Sequence, residues 1–262
     1  MARLRGPDGC PWDREQTFDS IKRHTLEETY EVFDAIERHA WPDLKDELGD
    51  LLLQVLFYAQ MASEAGYFTM QDVASNLNAK LIRRHPHIFG NVIASDSADV
   101  LRNWEQIKQS EKKTSAAAQS SMLDDIPRSM PAVLEASKLG SRAAKVGFDW
   151  PNEDGLFDKL QEEIVELKTE IEAELSPSSG DRSATKIEAE LGDLLFTAVN
   201  LARHLKVDPE SALRATNAKF RHRFAAMESA AGGADALAAS TPSKLDQLWN
   251  QAKNPASEPP GS

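Results

Sequence analysis

The sequence is poor in cysteine and has no long apolar run. Cys10 is the one cysteine among 262 residues, so no intramolecular disulfide forms and a reducing, cytoplasmic location is expected. No apolar stretch approaches the roughly 18–20 residues of a membrane span, and the first residues lack the apolar core of a secretory signal. We therefore expect a cytoplasmic protein that does not use a membrane as a partner.

Positive charge is also in deficit. The chain has 30 Lys and Arg against 42 Asp and Glu, a net charge of −12. Binding nucleic acid requires a basic surface to neutralise phosphates, so nucleic acid is not expected as a partner. A small phosphorylated ligand stays open, because a divalent cation bound to acidic residues makes a local positive charge.

Signals of β-structure are missing, and helical periodicity dominates. We find no alternating apolar strand and no Asn-Gly hairpin between β-branched runs. Stretches such as LKDELGDLLLQVLFYAQMASEAG are apolar at helical spacing instead. The fold class is predicted to be all-α, with loops at Ser110–Asp125 and Ser176–Thr185, where small and polar residues gather.

An internal repeat organises the chain. The segments LEETYEV, ELGDLL, NAKL and WEQIK recur in the same order as QEEIVEL, ELGDLL, NAKF and WNQAK. The offset grows from 135 residues (26 to 161) to 145 (104 to 249), as expected if the loops differ in length. We predict two homologous helical domains, 1–112 and 129–254, joined by a linker at 113–128 and followed by a mobile tail at 255–262.

Each repeat places two pairs of carboxylates at helical spacing. In the second repeat Glu163 and Glu166 are three residues apart, and Glu190 and Asp193 are three apart on the next helix. If these helices pack together the carboxylates converge, and two like charges 4 Å apart repel by about 4 kcal/mol at an effective dielectric near 20. A hard cation such as Mg²⁺ or Mn²⁺ suits an all-oxygen site. We predict a metal site at these residues and a second site at the corresponding set, Glu28, Glu31, Glu47 and Asp50.

Two other interpretations compete with the metal site. Glu-rich helices are commonly solvated surfaces, but here the second pair lies on an apolar helix and the whole arrangement occurs twice. A di-iron carboxylate bundle needs Glu-x-x-His on two helices, and the fourth residue here is Asp. Gly49 and Gly192 each weaken a helix interior by about 0.5–1 kcal/mol relative to Ala, and we expect them to allow close approach of two helices.

Basic and aromatic residues follow the acidic pairs. Lys219 and Arg223 are one helical turn apart, and the first repeat has the same pair. On a helix that faces the carboxylates they would bind phosphate oxygens; otherwise they form an ordinary basic surface. Trp249 either stacks on a base or fills the core, and Lys253 follows one turn later.

Together these elements resemble the MazG family of nucleoside triphosphate pyrophosphohydrolases, in its two-domain bacterial form. The resemblance also rests on GCPWDREQTF, TLEETYEV, RRHPHIFG and KVGFDW, and it covers nearly the whole chain. It implies an all-α NTP pyrophosphatase fold, a homodimer, Mg²⁺ dependence, and cleavage of NTPs and dNTPs to the monophosphate and pyrophosphate. Family members usually have more helix before RLRGPDGCPWD, so the first domain is expected to be trimmed.

The resemblance also implies residue roles, mostly in the second repeat. The expected metal ligands are Glu163, Glu166, Glu190 and Asp193, and either Glu162 or Glu163 is expected to orient the water that attacks the α-phosphorus. The expected substrate contacts are Lys159, Leu160, Gln161, Glu162, Glu163, Lys186, Ile187, Glu188, Ala189, Asp193, Lys219, Phe220, Arg221, His222, Arg223, Trp249 and Lys253.

The two repeats differ in charge beside their carboxylates. Four residues before the ELGD glutamate the second repeat has Lys186 and the first has Asp43; three residues before the Glu-Glu pair they have Lys159 and His24. The second repeat is thus more basic where a triphosphate would approach. We predict a working C-terminal site and a degenerate, mainly structural or regulatory N-terminal site. The alternative is a non-enzymatic module that senses nucleotides or binds protein around a structural metal.

Overall fold

The computed structural model describes residues 1–114, 121–174 and 182–253, and every regular element in these ranges is helical. The all-α prediction is confirmed. In these ranges no helix is both long and apolar enough to cross a bilayer. The chain divides into two compact units, Met1–Ala117 and Ala118–Ser262, and the boundary falls inside the segment predicted as a linker.

The N-terminal unit is built around a helical hairpin of α3 and α4, which a three-residue connection at 38–40 joins. Thr17 starts α3 with a capping box: its hydroxyl accepts from the Ser20 amide, and the Ser20 hydroxyl accepts from the Thr17 amide. The helices of this unit are α1 Ala2–Arg5, α2 Pro11–Glu15, α3 Phe18–Glu37, α4 Trp41–Glu64, α5 Met70–Arg84, α6 Pro86–Phe89 and α7 Ser97–Thr114.

An ion pair fixes the first two short helices against the end of α4. The Arg5 guanidinium donates to both carboxylate oxygens of Glu64, with Nη2 2.8 Å from Oε2, and also to the Asp13 carbonyl oxygen. Arg5 lowers the pKa of Glu64 through these hydrogen bonds. The same guanidinium lies over the Phe57 ring, 5.4 Å from its centroid, next to the apolar core of the hairpin. The segment before α3 is therefore packed against the hairpin as part of the N-terminal unit.

The C-terminal unit is built around α9 and α10, its most extensively packed helix pair. α8 lies against α10, and α13 packs on α11 around a core of Met227, Leu237 and Leu248. The helices of this unit are α8 Ala132–Ala144, α9 Glu153–Glu174, α10 Arg182–His204, α11 Pro209–Ala231, α12 Ala234–Ala238 and α13 Pro242–Lys253.

A close approach joins α8 to α10 at Gly140. The Asn200 side chain is fully buried there; it donates to the Phe196 carbonyl oxygen and accepts from Arg203 Nε. A Cβ at Gly140 would clash with Asn200 Oδ1, so any larger residue there requires this buried side chain to move. Arg203 also pairs with Asp149 and lowers the pKa of that carboxyl. This ion pair connects the segment just before α9 to the end of α10.

Two predicted loops are shorter than expected. α7 continues through Thr114, so the first part of Ser110–Asp125 is helical, and α10 begins at Arg182 inside the predicted loop Ser176–Thr185. Residues 115–120 and 175–181 of these loops lie outside the described residues, as does the predicted tail at 255–262.

Candidate active site

Three carboxylates converge where α9 and α10 pack. Glu163 and Glu166 on α9 and Glu190 on α10 each place one carboxylate oxygen within 4.8 Å of the others. Asp193, the fourth residue of the predicted set, is not in this group, although its charge is close enough to act on Glu190. The helical spacing therefore brings three of the four predicted ligands to one point.

Glu163 is the most buried of these carboxylates. Its exposed fraction is 3%, and its Oε1 lies 2.7 Å from Lys159 Nζ, whereas its Oε2 is buried without a hydrogen-bond partner among the described residues. The Lys159 ammonium also pairs with Glu162 at 2.8 Å, and these two hydrogen bonds raise the pKa of Lys159. A buried carboxylate oxygen without a donor costs free energy unless a cation satisfies it.

Glu190 lies in an unfavourable electrostatic environment. Lost solvation raises its pKa, and the charges of Glu166, Glu163 and Asp193 raise it further. The all-oxygen donor set and the unpaired oxygen of Glu163 both fit a hard divalent cation, which would reverse this repulsion.

Lys186 reaches the same cluster from the first part of α10. Its ammonium lies 3.3 Å from Glu170 Oε1. Glu170 also raises the pKa of Glu190, so it lies near the cluster as Asp193 does, and the sequence reasoning missed it. Its position one turn after Glu166 was the signal that would have found it. The corresponding residue of the first repeat (170 − 135 = 35) is Ala35.

A second group of predicted residues gathers where α11 meets α13. The Trp249 ring lies 5.4 Å from the Phe220 ring, and the cations of Arg223 and Lys253 lie 5.9 and 5.6 Å from its centroid. Trp249 also packs against the core of this unit, as the core-filling interpretation predicts, and stacking on a base stays a prediction. In the described part of the unit, no hydrogen bond, ion pair or ring contact joins this group to the carboxylates.

The remaining predicted contacts lie on the same helices. Leu160 and Gln161 are on α9 beside Lys159, and 187–189 form the α10 turn before Glu190. Lys219, Arg221 and His222 are exposed on α11.

The N-terminal unit repeats the carboxylate cluster. Glu28 on α3 and Glu47 and Asp50 on α4 place carboxylate oxygens within 4.8 Å of one another. Lost solvation raises the pKa of Glu28 and of Glu47, and the charge of Glu31 raises both further although Glu31 is not in the group. Asp43 adds to the repulsion at Glu47.

Two arginines of the N-terminal unit are already paired with one carboxylate. Arg84, which corresponds to Arg223 (84 + 139 = 223), lies 2.6 Å from Glu111 Oε2, and Arg83 lies 2.6 Å from Oε1 of the same carboxylate. The two guanidinium groups lower the pKa of Glu111 to about 2. Arg223 lies over Trp249 instead. The N-terminal unit therefore has less free positive charge for a phosphate.

The predicted role of the ELGD glycines is wrong for the single chain. A Cβ built at Gly49 or at Gly192 meets nothing within 4 Å, so neither glycine marks a close approach between helices of this chain. The tight helix contact lies at Gly140 instead.

Comparison with family models identifies both units. The model of the MazG nucleotide pyrophosphohydrolase domain matches residues 16–89 and again residues 152–226. These ranges contain both carboxylate clusters, and the double match confirms the internal repeat.

Similar proteins extend the likeness over nearly the whole chain. A nucleoside triphosphate pyrophosphohydrolase of Escherichia coli K12 is 48% identical over 97% of this chain and 94% of its own. A Thermotoga maritima protein named nucleoside triphosphate pyrophosphohydrolase/pyrophosphatase MazG is 43% identical over 97% and 92%. The uncharacterized protein YabN of Bacillus subtilis is 45% identical over 97% of this chain and 50% of its own.

Proposed function

Because the chain belongs to the MazG family of nucleotide pyrophosphohydrolases, we propose that it hydrolyses NTPs and dNTPs at the α-phosphorus, releasing the monophosphate and pyrophosphate. The observation that carries this proposal is the duplicated family domain, with one carboxylate cluster in each copy. The near-full-length similarity to relatives named for this activity supports it.

The cofactor of the proposed reaction is Mg²⁺, with Mn²⁺ as a substitute. Glu163, Glu166 and Glu190 would hold it, with Asp193 beside them; the unpaired Oε2 of Glu163 supports this assignment. When bound, the ion polarises phosphate oxygens and neutralises charge on the leaving pyrophosphate.

The side chains around the carboxylates have complementary roles in this proposal. Lys159 fixes Glu163 through its 2.7 Å ion pair and gives Glu162 a defined position, from which Glu162 orients the attacking water. Lys186, exposed at the edge of the cluster, exchanges Glu170 for a phosphate oxygen of the substrate.

The α11–α13 group supplies the nucleotide end of the site. Trp249 offers an aromatic surface to a base, and Arg223 and Lys253, both over its ring, bind phosphate oxygens. Substrate would then connect this group to the carboxylates. We assign the working site to the domain at 129–254 and a degenerate site to the domain at 1–112, where Asp43 and Glu111 replace or neutralise positive charge.

The proposed enzyme is a cytoplasmic homodimer without a nucleic-acid partner. The net charge of −12 supports the lack of a nucleic-acid partner. Self-association is supported by two leucines exposed along α10, Leu191 and Leu195.

Product analysis tests the proposed reaction. Purified protein is incubated with each dNTP and NTP in MgCl2, and the products are separated by anion-exchange chromatography. We expect monophosphate and pyrophosphate in equal amounts, and no turnover in EDTA. Release of orthophosphate and a diphosphate would exclude attack at the α-phosphorus, and absence of turnover with every nucleotide would favour a non-enzymatic sensing or protein-binding module.

A further inference from the structure

A cavity of about 220 Å³ lies in the N-terminal unit, between the α1–α2 segment and the α3–α4 hairpin. It is smaller than the roughly 300–1,000 Å³ of pockets that enclose a drug-sized ligand, and is therefore suited to a single ring system. Its lining combines aromatic, aliphatic and a few polar side chains, among them Trp12, Ile21, His24, Glu28, Gln54 and Phe57.

Gln54 is a buried polar group without a full set of partners. Its exposed fraction is 6%, and its Oε1 accepts no hydrogen bond from the described residues. Leaving such an acceptor buried and unpaired is unfavourable. The hairpin core beside it, Ile21 and Phe57, is apolar and has no side-chain donor to offer. A ligand in the cavity that carries an N–H donor would satisfy the amide.

The aromatic walls favour a flat ligand. The Trp12 ring stands edge-on to Phe57 at 6.5 Å and to His24 at 6.0 Å. Trp12 is 51% exposed although it lines the cavity, so a bound ring would cover apolar surface that now faces water. Stacking of a base on an aromatic side chain stabilises a complex with any of the bases.

Glu28 connects the cavity to the carboxylate cluster. It lines the cavity and also belongs to the group with Glu47 and Asp50. A ligand whose ring fills the cavity and whose other end carries a phosphate would therefore reach a divalent cation held by these carboxylates.

Charge limits the number of phosphates. Beside its carboxylates the N-terminal unit has His24 and Asp43, where the C-terminal unit has Lys159 and Lys186. Arg84 is neutralised by Glu111. A triphosphate would add about four negative charges beside acidic groups with little compensating positive charge, whereas a monophosphate adds about two, which one divalent cation offsets.

We propose that the N-terminal unit binds a nucleoside monophosphate, with the base in the cavity against Trp12 and hydrogen-bonded to Gln54, and the phosphate directed to Glu28 through a divalent cation. Only the identification of this ligand with the reaction product rests on the proposed function. The cavity, the unpaired amide and the charge balance do not depend on it. The degenerate site is then a product sensor.

Calorimetric titration of the full chain tests this site. AMP, CMP, GMP and UMP are titrated in MgCl2 into a Glu190→Gln background, in which turnover is slow. For the base that binds, the nucleoside and the triphosphate are compared with the monophosphate, and the binding lost in Gln54→Met is assigned to the cavity. We expect this cavity-dependent binding to be tighter for at least one monophosphate than for its triphosphate. Gln54→Met, which keeps the side-chain volume, and Trp12→Ala, which removes a half-exposed ring, should each weaken binding about tenfold or more. Trp41→Ala is the control, because Trp41 is 60% exposed in the same unit and does not line the cavity.

The outcomes distinguish the proposed product site in the N-terminal unit from the proposed enzyme activity. Monophosphate binding that survives both cavity variants or falls equally in the Trp41 control would overturn the product site. Cavity-dependent binding that favours the triphosphate would also overturn it. Thermal unfolding of each variant shows that the fold is retained, and Gln54→Met keeps the test valid if Trp12→Ala disturbs the α1–α2 segment. Absence of turnover in the wild type with cavity-dependent binding would refute the proposed enzyme alone, and turnover without such binding would refute this site alone.

Discussion

At the scale of single residues, Glu163 is the most buried carboxylate of the C-terminal cluster, and the proposed metal site depends on it. One of its oxygens is held by Lys159, and the other is buried without a partner among the described residues. That combination positions the side chain and leaves one oxygen for a cation. Lys186 differs from Lys159 because it is exposed. Its ammonium lies 3.3 Å from Glu170, which is long for a charge-assisted hydrogen bond, so a substrate phosphate can compete with Glu170 for it.

Reversing the charge of Lys186 tests its assignment as a phosphate contact. We expect Lys186→Asp to lower kcat/KM for a nucleoside triphosphate by about 10–100-fold, the value of one charge-assisted hydrogen bond plus a new repulsion. Lys168→Asp is the matched control, because Lys168 is an exposed lysine on α9. An equal loss in both variants would show that net charge alone, and not this position, matters.

The sequence was informative about single residues where helical spacing decides position. The i, i+3 acidic pairs predicted both clusters, because residues three apart share a helix face. The spacing could not predict which three of four carboxylates meet, since Asp193 falls outside one cluster and Glu31 outside the other. Gln54 was missed because a lone glutamine in an apolar helix carries no motif; its unpaired amide is visible only in three dimensions.

At the scale of helices, glycine decides where two of them meet. Gly140 lets α8 approach the buried Asn200 of α10. A Cβ built at the glycine of either ELGD segment would meet nothing within 4 Å. The sequence pattern predicted close helix contacts at Gly49 and Gly192, the glycines of the ELGD segments. The close contact occurs instead at Gly140, which lies outside both segments. Helix identity was predictable from apolar periodicity, but the ends of α7 and α10 were not, because small polar residues are compatible with both loop and helix.

Alanine at these glycines should separate the two cases. We expect Gly140→Ala to lower the free energy of unfolding by about 1–3 kcal/mol, since the new methyl displaces Asn200 and strains its hydrogen bond with Arg203. Gly192→Ala should leave it unchanged or raise it by up to about 1 kcal/mol through helix propensity. Urea unfolding followed by circular dichroism measures both. A marked loss in Gly192→Ala would mean that another element packs on that face, such as a second copy of the chain.

At the scale of the whole molecule, two copies of one domain have diverged in charge. Both keep a carboxylate cluster, but only the C-terminal copy keeps lysines beside it. The repeat was readable in the sequence because four motifs recur in order, and the family match covers both copies. The N-terminal cavity was not readable, because the α1–α2 segment that closes it docks through Arg5, Glu64 and Phe57, which are distant in sequence.

The proposed self-association involves the apolar surface of α10. Leu195 is 60% exposed on the helix that carries Glu190. We expect light scattering to give the mass of two chains, and Leu195→Glu to give the mass of one with unchanged helix content. Phe148→Glu, a change at an exposed apolar residue outside the helices, is the control and should stay dimeric. A wild-type mass of one chain would contradict the proposed homodimer.

The most direct test of the central claim is a matched pair of substitutions in the two clusters. Glu190→Gln and Glu47→Gln remove the same carboxylate charge from corresponding positions of the two repeats (190 − 143 = 47). The measurement is the rate of pyrophosphate release from a nucleoside triphosphate in MgCl2. We predict that Glu190→Gln lowers kcat about 100-fold or more, because a metal ligand is lost, and that Glu47→Gln keeps most of the activity. Loss of activity in Glu47→Gln with activity retained in Glu190→Gln would place the working site in the N-terminal unit and contradict the account.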